Sequence, residues 1–313
     1  MSQAGLTFGI FVPQVGYRYE DILERARWVE ELGFHSMWLM DHLYPPGLPA
    51  VPSYEAWTVA TALLASTTRL RVGHLVLCNN FRHPALLAKM ATSLDDISQG
   101  RLILGLGSGS YEQEHHEAGI AWDPFGARTT RLAESLEIIT RMFSSERTTF
   151  AGEHYAVRDL ANVPPPVQRP RPPILVGGSG DRTLELVARY ADYWNCPTYA
   201  LRDLDAVVRR LWAACDRVGR SRDTLTLSLE AVLALAPSED DVPEVRAQAE
   251  RRFGSPGFGL HDAGLIGTPE TVAAVLRRQV ELGFRHFVFF LHDRVQRQTL
   301  ELLSEKVIPS IAG

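Results

Sequence analysis

Residues 173–183 read Pro-Ile-Leu-Val-Gly-Gly-Ser-Gly-Asp-Arg-Thr, a short apolar segment followed at once by a glycine-rich turn. The apolar segment predicts a β-strand over 174–176, and the pattern from Thr183 predicts a helix to Tyr190. Glycine permits close backbone approach, and the first turn of a helix offers unpaired N–H groups and a partial positive charge. The unit is therefore a candidate anion site, most often for phosphate. A tight turn that needs glycine only for its backbone angles explains the pattern equally well.

The same alternation of strand and helix continues on both sides of this unit. Short apolar runs predict eight strands, at 6–12, 36–40, 70–77, 102–106, 174–176, 193–196, 225–235 and 287–291. Helical spacing predicts helices at 19–32, 57–65, 84–98, 132–143, 183–190, 201–218, 243–253, 271–282 and 298–307. Eight strands that alternate with helices favour a closed barrel over an open sheet. The predicted fold is a single-domain α/β chain over residues 1–313, a (β/α)8 or TIM barrel.

Two stretches interrupt the alternation. Residues 144–173 contain two proline clusters and are predicted to form an extended connection, because proline lacks the N–H that helices and central strands need. We do not interpret this stretch as an interdomain linker, because the alternation resumes directly after it. A glycine-rich loop at 254–267 precedes the helix at 271–282, for which Thr268 is a predicted N-cap.

Composition narrows the classes of function. The formal net charge is -5 at pH 7, with acids and bases mixed along the chain. Because no long basic run occurs, a nucleic-acid or membrane-surface partner is disfavoured. Cys78, Cys196 and Cys215 match no zinc spacing and are too few for a disulfide scaffold, which favours a reducing cytoplasm. The apolar run at 6–12 is too short to span a membrane and lacks the flanks of a signal peptide.

In such a barrel the functional residues lie where strands end. Asp41 and His42 follow the second predicted strand. A histidine titrates near neutral pH and can act as an acid, a base or a hydrogen-bond donor. Adjacent side chains on an extended chain point in opposite directions, so we expect that these two residues do not pair with each other. A structural or surface histidine is the alternative.

Three further groups of polar residues have both a functional and a structural interpretation. Arg82 and His83 precede a proline and could simply order a loop. His115 and His116 stand among acidic residues, but their spacing matches no metal motif, so a solvated helix start is favoured and no metal site is predicted. Glu230 interrupts an apolar strand, where a carboxylate either contacts a ligand or bonds to an arginine; the structural role is favoured.

Five segments stand in a definite order along the chain: FGIFVPQ (8–14), WLMDH (38–42), RHPALLAK (82–89), SQGRLILGLG (98–107) and GTPET (267–271). Each is weak alone, but their order and spacing together resemble the bacterial-luciferase-like superfamily of flavin and deazaflavin enzymes. The resemblance covers nearly the whole chain. Within the superfamily, the chain is most similar to the oxidoreductases that depend on the deazaflavin coenzyme F420.

The resemblance implies a flavin-type cofactor at the carboxyl ends of the strands, usually in a homodimer. It also implies an insertion between strand and helix, at about 108–172, and a variable loop at about 254–268. The cofactor-binding residues that it implies are Asp41, Leu75, Val76, Gly107, Ser108, Gly109, Gly177, Gly178 and Ser179.

These residues have different implied roles. Asp41 and His42, the implied catalytic residues, would lie near the cofactor ring. The bond between Leu75 and Val76 would be a non-prolyl cis peptide behind that ring. Residues 107–109 would line the cofactor tail, and residues 177–179 would hold its phosphate, which agrees with the independent argument from the helix terminus.

One departure from the family pattern affects the substrate. The sugar-phosphate dehydrogenases of this superfamily carry a proton-donating glutamate after the glycines of the fourth strand, where this chain has Ser110 and Tyr111. Sugar-phosphate oxidation is therefore disfavoured, and His42 becomes the better acid or base.

The leading hypothesis is hydride transfer between F420 and a small organic substrate. Trp57, Tyr111, Trp194 and Phe258 are candidates for an aromatic substrate pocket, although each is more typical of a core. One alternative is a monooxygenase that uses reduced FMN, molecular oxygen and a partner flavin reductase. Another is a barrel that keeps the fold but binds no flavin.

Overall fold

A closed parallel barrel forms the centre of the computed structural model, which describes residues 5–255 and 258–312. The strands are β1 (Thr7–Phe11), β2 (Ser36–Leu39), β3 (Arg71–His74), β4 (Leu77–Cys78), β5 (Leu102–Gly107), β6 (Arg147–Ala151), β7 (Ala156–Ala161), β8 (Ile174–Gly177), β9 (Tyr193–Cys196), β10 (Thr226–Leu235), β11 (Leu265–Gly267) and β12 (Phe284–Leu291). The helices are α1 (Tyr19–Glu31), α2 (Ala56–Ser66), α3 (Pro84–Ile97), α4 (Glu112–Glu117), α5 (Phe125–Ser144), α6 (Asp181–Tyr190), α7 (Leu204–Arg217), α8 (Val242–Phe253), α9 (Leu260–Ala263), α10 (Pro269–Glu281), α11 (Arg297–Leu302) and α12 (Ile308–Ala312).

The barrel closes through parallel pairs between neighbouring strands. The order around the barrel is β1, β2, β3 with its continuation β4, β5, β8, β9, β10 and β12, and β12 pairs again with β1. β11 pairs with the carboxyl end of β10, outside this ring. The eight predicted strands are the eight sides of the barrel, so the TIM-barrel prediction is confirmed.

Glycines on the two neighbouring strands make room for one tryptophan in the barrel interior. The fully buried indole of Trp38 on β2 fills the interior, and its Nε1 donates to Ser36 Oγ at 2.8 Å. A Cβ at Gly73 on β3 would lie 2.6 Å from the ring, and one at Gly9 on β1 would lie 2.7 Å from it. The interior at this level is therefore a packed core, and open space begins only nearer the carboxyl ends of the strands.

Some element boundaries differ from the prediction. α5 begins at Phe125 rather than at 132, because its first two turns are polar and do not show helical apolar spacing. Residues 144–173 contain the antiparallel hairpin β6–β7, which lies outside the barrel sheet. The predicted extended connection is thus correct in excluding a helix and a central strand, but it missed the hairpin.

Two smaller corrections concern the last third of the chain. The loop at 254–267 contains α9 and β11, which its glycine content hid. Thr268 does hold the N-cap position of α10, but no side-chain cap bond forms there in the described part of the chain; its hydroxyl contacts Glu239 Oε1 at 3.3 Å. Among the described residues, no helix combines the length and apolar character needed to cross a bilayer.

Candidate active site

A cavity of about 650 Å³ opens where the carboxyl ends of the barrel strands meet. Its lining comes from all sides of the barrel and includes every residue that the sequence resemblance assigned to the cofactor. Those residues are Asp41, Leu75, Val76, Gly107, Ser108, Gly109, Gly177, Gly178 and Ser179, and His42 lines the same cavity. Segments far apart in the sequence therefore meet at one place, as expected for a barrel enzyme.

Val76 organises one wall of this cavity. The Leu75–Val76 peptide bond is cis, as the resemblance implied, and it separates β3 from β4. A Cβ at Gly107 would lie 2.5 Å from Val76 Cγ2, and a Cβ at Gly177 would lie 3.1 Å from Val76 Cγ1. Both glycines are thus required by close packing against one side chain, and a larger residue at either position would displace Val76 into the cavity.

The glycine turn (residues 177–180) leads directly into α6. Gly180 holds the N-cap position, and within the described residues no side chain caps this helix. The acidic residue of the first turn, Asp181, is bound instead by Arg210 Nη1 at 2.7 Å. The first-turn amides of α6 therefore remain for a ligand, and together with the helix dipole they fit a phosphate.

Gly178 gives the turn its shape. Its φ of +132° lies in a region that side-chain-bearing residues rarely adopt, and an added Cβ would lie 3.0 Å from Thr183 Cγ2. Trp194 supports the turn from behind, because its Nε1 donates to the Gly178 carbonyl at 2.8 Å. The backbone of the turn is thereby held from two sides, and its shape suits an anionic ligand tail.

Asp41 is fully engaged by the protein. Its Oδ2 accepts from the Cys78 amide at 2.8 Å and from Arg82 Nη1 at 2.7 Å, and its Oδ1 accepts from Arg82 Nη2 at 3.0 Å. Arg82 also donates to Glu55 Oε1 at 2.6 Å. These contacts tie Asp41, just after β2, to the Cys78 amide of β4 and to Arg82 beyond it, so the geometry supports a positioning role for Asp41. Its place among the catalytic residues stays a prediction.

The charges of this cluster stabilise one another. Burial disfavours the charged form of Arg82, but hydrogen bonds and attraction from Asp41 and Glu55 outweigh burial and raise its pKa. Burial acts against ionisation of Glu55 as well, yet hydrogen bonds from Thr58, Trp57 and Arg82 lower its pKa to about 2. Arg82, which the sequence left open, therefore supports the cavity-lining Asp41 without lining the cavity itself.

His42 has a carboxylate partner of its own. Its Nδ1 lies 2.7 Å from Glu114 Oε1, and Glu114 Oε2 accepts from the Leu43 amide at 3.0 Å. The Glu114 side chain is 1% exposed and the His42 side chain 20% exposed. The pair leaves Nε2 of His42 as the ring nitrogen available to a ligand in the cavity. Asp41 and His42 bind different partners, as predicted.

Sequence reasoning missed Glu114. We singled out the two histidines that follow it and noted only that Ser110 and Tyr111 stand where related enzymes carry a glutamate. The short helix α4 instead brings a carboxylate to the cavity from one turn further along the chain. The sequence feature that could have pointed to Glu114 is the acidic first turn of this helix. Only the structure shows that the Glu114 side chain faces the cavity.

The neighbouring histidines divide into one buried and one exposed residue. His115 is fully buried, with Nδ1 2.8 Å from the Tyr111 carbonyl and Nε2 3.5 Å from Cys78 Sγ, so the prediction of a solvated helix start is wrong for it. His116 is exposed and lies 3.1 Å from Glu112 Oε1. In the described ranges no group of three or more His, Cys, Asp or Glu side chains could hold a metal ion.

Glu230 lies on β10 at the floor of the cavity. Burial raises the pKa of its carboxyl to about 7, and a hydrogen bond with Asn195 partly offsets that shift. The partner is therefore an amide from the neighbouring strand β9 and not the arginine that we considered. A carboxyl that faces the cavity and gains its proton near neutral pH fits contact with a ligand better than a purely structural role.

The expected aromatic pocket is assembled from different residues. Phe258 lines the cavity, but Trp57, Tyr111 and Trp194 are not among the lining residues. Trp57 stacks on buried His74, with centroids 5.5 Å apart, and Tyr111 meets His42 edge-on from outside the cavity. The observed aromatic wall consists of Phe11, Phe253, Phe258 and Phe290.

Barrel enzymes place their chemistry at this end of the strands, and comparison with known proteins shows which enzymes are related. The chain belongs to the luciferase-like monooxygenase family, whose model matches residues 6–256.

Individual relatives carry more specific names. An F420-dependent glucose-6-phosphate dehydrogenase of Microbacterium testaceum is 28% identical over 337 residues, which cover 98% of this chain and 97% of the relative. An F420-dependent hydroxymycolic acid dehydrogenase of Mycobacterium tuberculosis is 32% identical over 269 residues, which cover 84% of this chain and 69% of the relative. These matches confirm that the chain is an oxidoreductase of the expected F420-dependent branch.

Solved structures share the fold. An F420-dependent secondary alcohol dehydrogenase in complex with an F420–acetone adduct superimposes with a TM-score of 0.81 at 21% identity, covering 98% of this chain and 99% of that one. The F420-dependent tetrahydromethanopterin reductase of Methanopyrus kandleri superimposes with a TM-score of 0.80 at 19% identity, covering 98% and 100%. At these identities the likeness supports the barrel fold alone.

Proposed function

We propose that the protein transfers a hydride between F420 and a small organic substrate, with His42 as the residue that exchanges the accompanying proton. The observation that carries the proposal is that one cavity joins an uncapped helix N-terminus to a histidine held by a buried carboxylate. The first feature suits an anionic cofactor tail, and the second suits proton exchange with a substrate.

The residues present fit the cofactor. The glycine turn and the first turn of α6 would hold its phosphate, residues 107–109 would line its tail, and Val76 would support its ring. Gly107 and Gly177 leave the space that this needs, since a Cβ at either position would collide with Val76 or displace it. When bound, F420 supplies the hydride chemistry, which no protein side chain can provide.

The chain's own residues do the remaining work. Glu114 fixes the ring orientation of His42 and balances its positive charge when Nε2 carries a proton. Asp41 and Arg82 hold the end of β2 against β4, so the residues around His42 keep their positions. The aromatic wall gives the same cavity an apolar surface on which the body of an organic substrate could pack.

Two alternatives are weaker. The names of the relatives favour F420 over reduced FMN with a partner flavin reductase, although one phosphate site could serve both cofactors. Glucose 6-phosphate, the substrate in the name of several relatives, stays disfavoured as a prediction, because Ser110 stands where the sugar-phosphate enzymes carry their glutamate.

A binding titration tests the cofactor. Purified protein is titrated with F420 and, separately, with FMN, and the visible absorbance and fluorescence of each cofactor are recorded. Saturable binding of F420, with FMN at least tenfold weaker, supports the proposal. Tight FMN binding without F420 binding would establish the monooxygenase alternative, and absence of both would establish a barrel that binds no flavin.

We further propose that the protein is a homodimer, because the family that it resembles usually forms one. We also propose that it works in the cytoplasm, because its three cysteines are buried and form no disulfide. Light scattering of the eluting protein measures its mass, and a mass of twice 34.9 kDa is expected. A mass of one chain at working concentration contradicts the dimer.

A further inference from the structure

Two guanidinium groups, those of Arg252 and Arg294, line the cavity on the side formed by the end of α8 and the loop after β12. Arg252 Nη1 donates to the carbonyls of Leu291 at 2.8 Å and His292 at 3.2 Å. Arg294 Nη2 donates to the carbonyls of Val15 at 3.0 Å and Gly16 at 2.9 Å. Each arginine is thus anchored to backbone through one nitrogen, which leaves further N–H groups of its fork for a ligand.

Aromatic rings hold the same two groups in place. The Arg252 Cζ lies 4.8 Å from the ring centroid of Phe253 and 5.0 Å from that of Phe290. The Arg294 Cζ lies 4.3 Å from the centroid of Tyr17, whose hydroxyl donates to the Arg294 carbonyl at 2.9 Å. Stacked and tethered guanidinium groups lose little freedom when they bind a planar oxyanion.

The acids around the cavity leave these charges unbalanced. In the described part of the chain neither arginine forms an ion pair with a carboxylate. Asp41 is bound by Arg82, and Glu114 is bound by His42. Asp293, the acid next to Arg294 in sequence, accepts instead from the Val295 amide at 3.0 Å.

The ionisation states of Glu230 and Arg252 leave this side of the cavity with a net positive charge at neutral pH. Burial raises the pKa of Glu230 to about 7. At neutral pH this carboxyl is therefore only partly ionised, and its negative charge offsets the positive charge of the two arginines only in part. Burial and repulsion from Arg294 lower the pKa of Arg252 to about 10, against attraction from Tyr17 and Asp293, and the group is still protonated at neutral pH. A cavity wall with two cations and no partner carboxylate favours an anionic ligand.

The position of the arginines separates them from the glycine turn. β8, which carries that turn, and β12, which leads into Arg294, lie three strands apart around the eight-stranded ring, through β9 and β10. The aromatic wall stands beside the arginines, with the ring centroids of Phe253 and Phe290 4.5 Å apart and those of Phe11 and Phe290 5.0 Å apart. A ligand at this end meets an apolar surface that is bounded by positive charge.

We infer that Arg252 and Arg294 form the oxyanion subsite of the substrate, and that the substrate is an amphipathic anion with an apolar body and one terminal carboxylate or phosphate. The apolar body would lie against the phenylalanine wall, and the oxyanion would be held by the two guanidinium groups. This inference rests on the proposed function, because it assigns the glycine turn to the cofactor and the opposite end to the substrate.

Calorimetry with simple probes tests the inference, on F420-loaded protein and on protein without the cofactor. The probes are phenylbutyrate, its neutral amide phenylbutyramide, and phenylpropyl phosphate, so that the carboxylate and phosphate forms are distinguished. We expect at least one anion to bind about tenfold or more tightly than the amide, with an affinity that falls as salt is added. Equal binding of the amide and both anions would overturn the inference.

Three variants assign the effect to the arginines. Arg294→Gln and Arg252→Gln should each weaken binding of the anion about tenfold and leave the amide unchanged. Arg251→Gln, on the same helix but exposed and away from the cavity lining, is the matched control and should bind the anion normally. Arg294 is itself exposed, so its variant keeps the test valid if Arg252→Gln fails to fold.

F420 binding to the same variants separates this inference from the proposed function. Wild-type F420 affinity together with loss of anion binding supports the subsite. Loss of F420 affinity in Arg252→Gln or Arg294→Gln, with anion binding retained, would overturn it, because the arginines would then hold the cofactor tail. Wild-type protein that binds the anion but not F420 would leave the subsite standing and refute the proposed function.

Discussion

The β8 side and the β2 side of the cavity offer ligands two different surfaces. On the β8 side the glycine turn and the start of α6 present main-chain amides, and no charged side chain is needed to fit an anion. On the β2 side the cavity is lined by Asp41, His42 and Glu114, with Asp41 held by Arg82 and His42 paired with Glu114. The first surface would bind through main-chain amides, whereas the second depends on side chains that hold one another in position. We therefore expect substitutions to separate cofactor binding from turnover according to the side on which they fall.

The largest effect is expected from His42→Ala. Loss of a positioned acid or base lowers turnover by about 100- to 10,000-fold, so kcat should fall within that range. F420 affinity should stay within about twofold of wild type, because the glycine turn is untouched. Stopped-flow and steady-state absorbance of F420 measure the rate, and fluorescence titration measures the affinity.

His116→Ala is the matched control for that experiment, because His116 is exposed and contacts only a surface glutamate among the described residues. It should behave as wild type. Wild-type kcat in His42→Ala would remove the histidine from the mechanism. A large loss of F420 affinity in that variant would contradict the division of the cavity into a binding side and a proton-exchanging side.

Glu114→Gln should have the next largest effect. The amide keeps one acceptor for the Leu43 amide or for His42 but removes the charge and one of the two contacts. We expect kcat to fall about 10- to 100-fold through misorientation of the imidazole. The surface variant Glu112→Gln should have no effect.

A double variant shows whether Glu114 acts through the histidine. In the His42→Ala background, Glu114→Gln should produce almost no additional loss, because the two residues act as a unit. If the two effects multiply instead, the carboxylate has a role of its own, and the pair is not the functional element of the β2 side.

The two sides also differ in how far the sequence predicts them. The β8 side was predicted because its determinants are local: a strand, four residues of turn and a helix start follow one another in the chain. The β2 side depends on residues 41 and 82, and on residues 42 and 114, which only barrel closure brings together. Local patterns carry no information about such distances, so His42 was found by its place after a strand and Glu114 was missed.

Trp194 illustrates the same limit for a single strand. Residue type suggested a pocket aromatic, but alternation along β9 points Asn195 toward the cavity and Trp194 away from it. If one residue of β9 were known to face the cavity, the alternation of side chains along the strand would give the direction of its neighbours. The eight strands themselves were recovered because each is a short, mostly apolar and mostly buried segment, whereas the hairpin β6–β7 is mostly exposed and lacks that signal.

Gly177→Leu tests the β8 side directly. The side chain must displace Val76, whose Cγ1 would lie 3.1 Å from the new Cβ, and it reaches into the space assigned to the cofactor. We expect F420 affinity to fall about tenfold, equal to the loss of one or two amide hydrogen bonds, with little change in melting temperature. Gly180→Ala, where the new Cβ would make ordinary contacts with Phe125 at 3.7 Å and Thr183 Oγ1 at 4.0 Å, should cause a smaller loss. Unchanged affinity in Gly177→Leu would refute the anion site.

The smallest effect is expected at Glu230, on the floor between the two sides. Its pKa is raised from 4.5 to about 7 in the folded protein, so between these values the folded state binds more protons than the unfolded state, and the free energy of unfolding falls as pH rises. Glu230→Gln carries no charge and should be about 1 kcal/mol more stable than wild type at pH 8, after allowance for partial exposure of the carboxyl, and equal to it near pH 4.5. Urea unfolding at the two pH values measures this difference, with the exposed Glu250→Gln as a control that should show none.

A difference of the same size at both pH values would mean that packing, not ionisation, is responsible. A change in F420 affinity would group Glu230 with the β8 side, and a change in kcat would group it with His42.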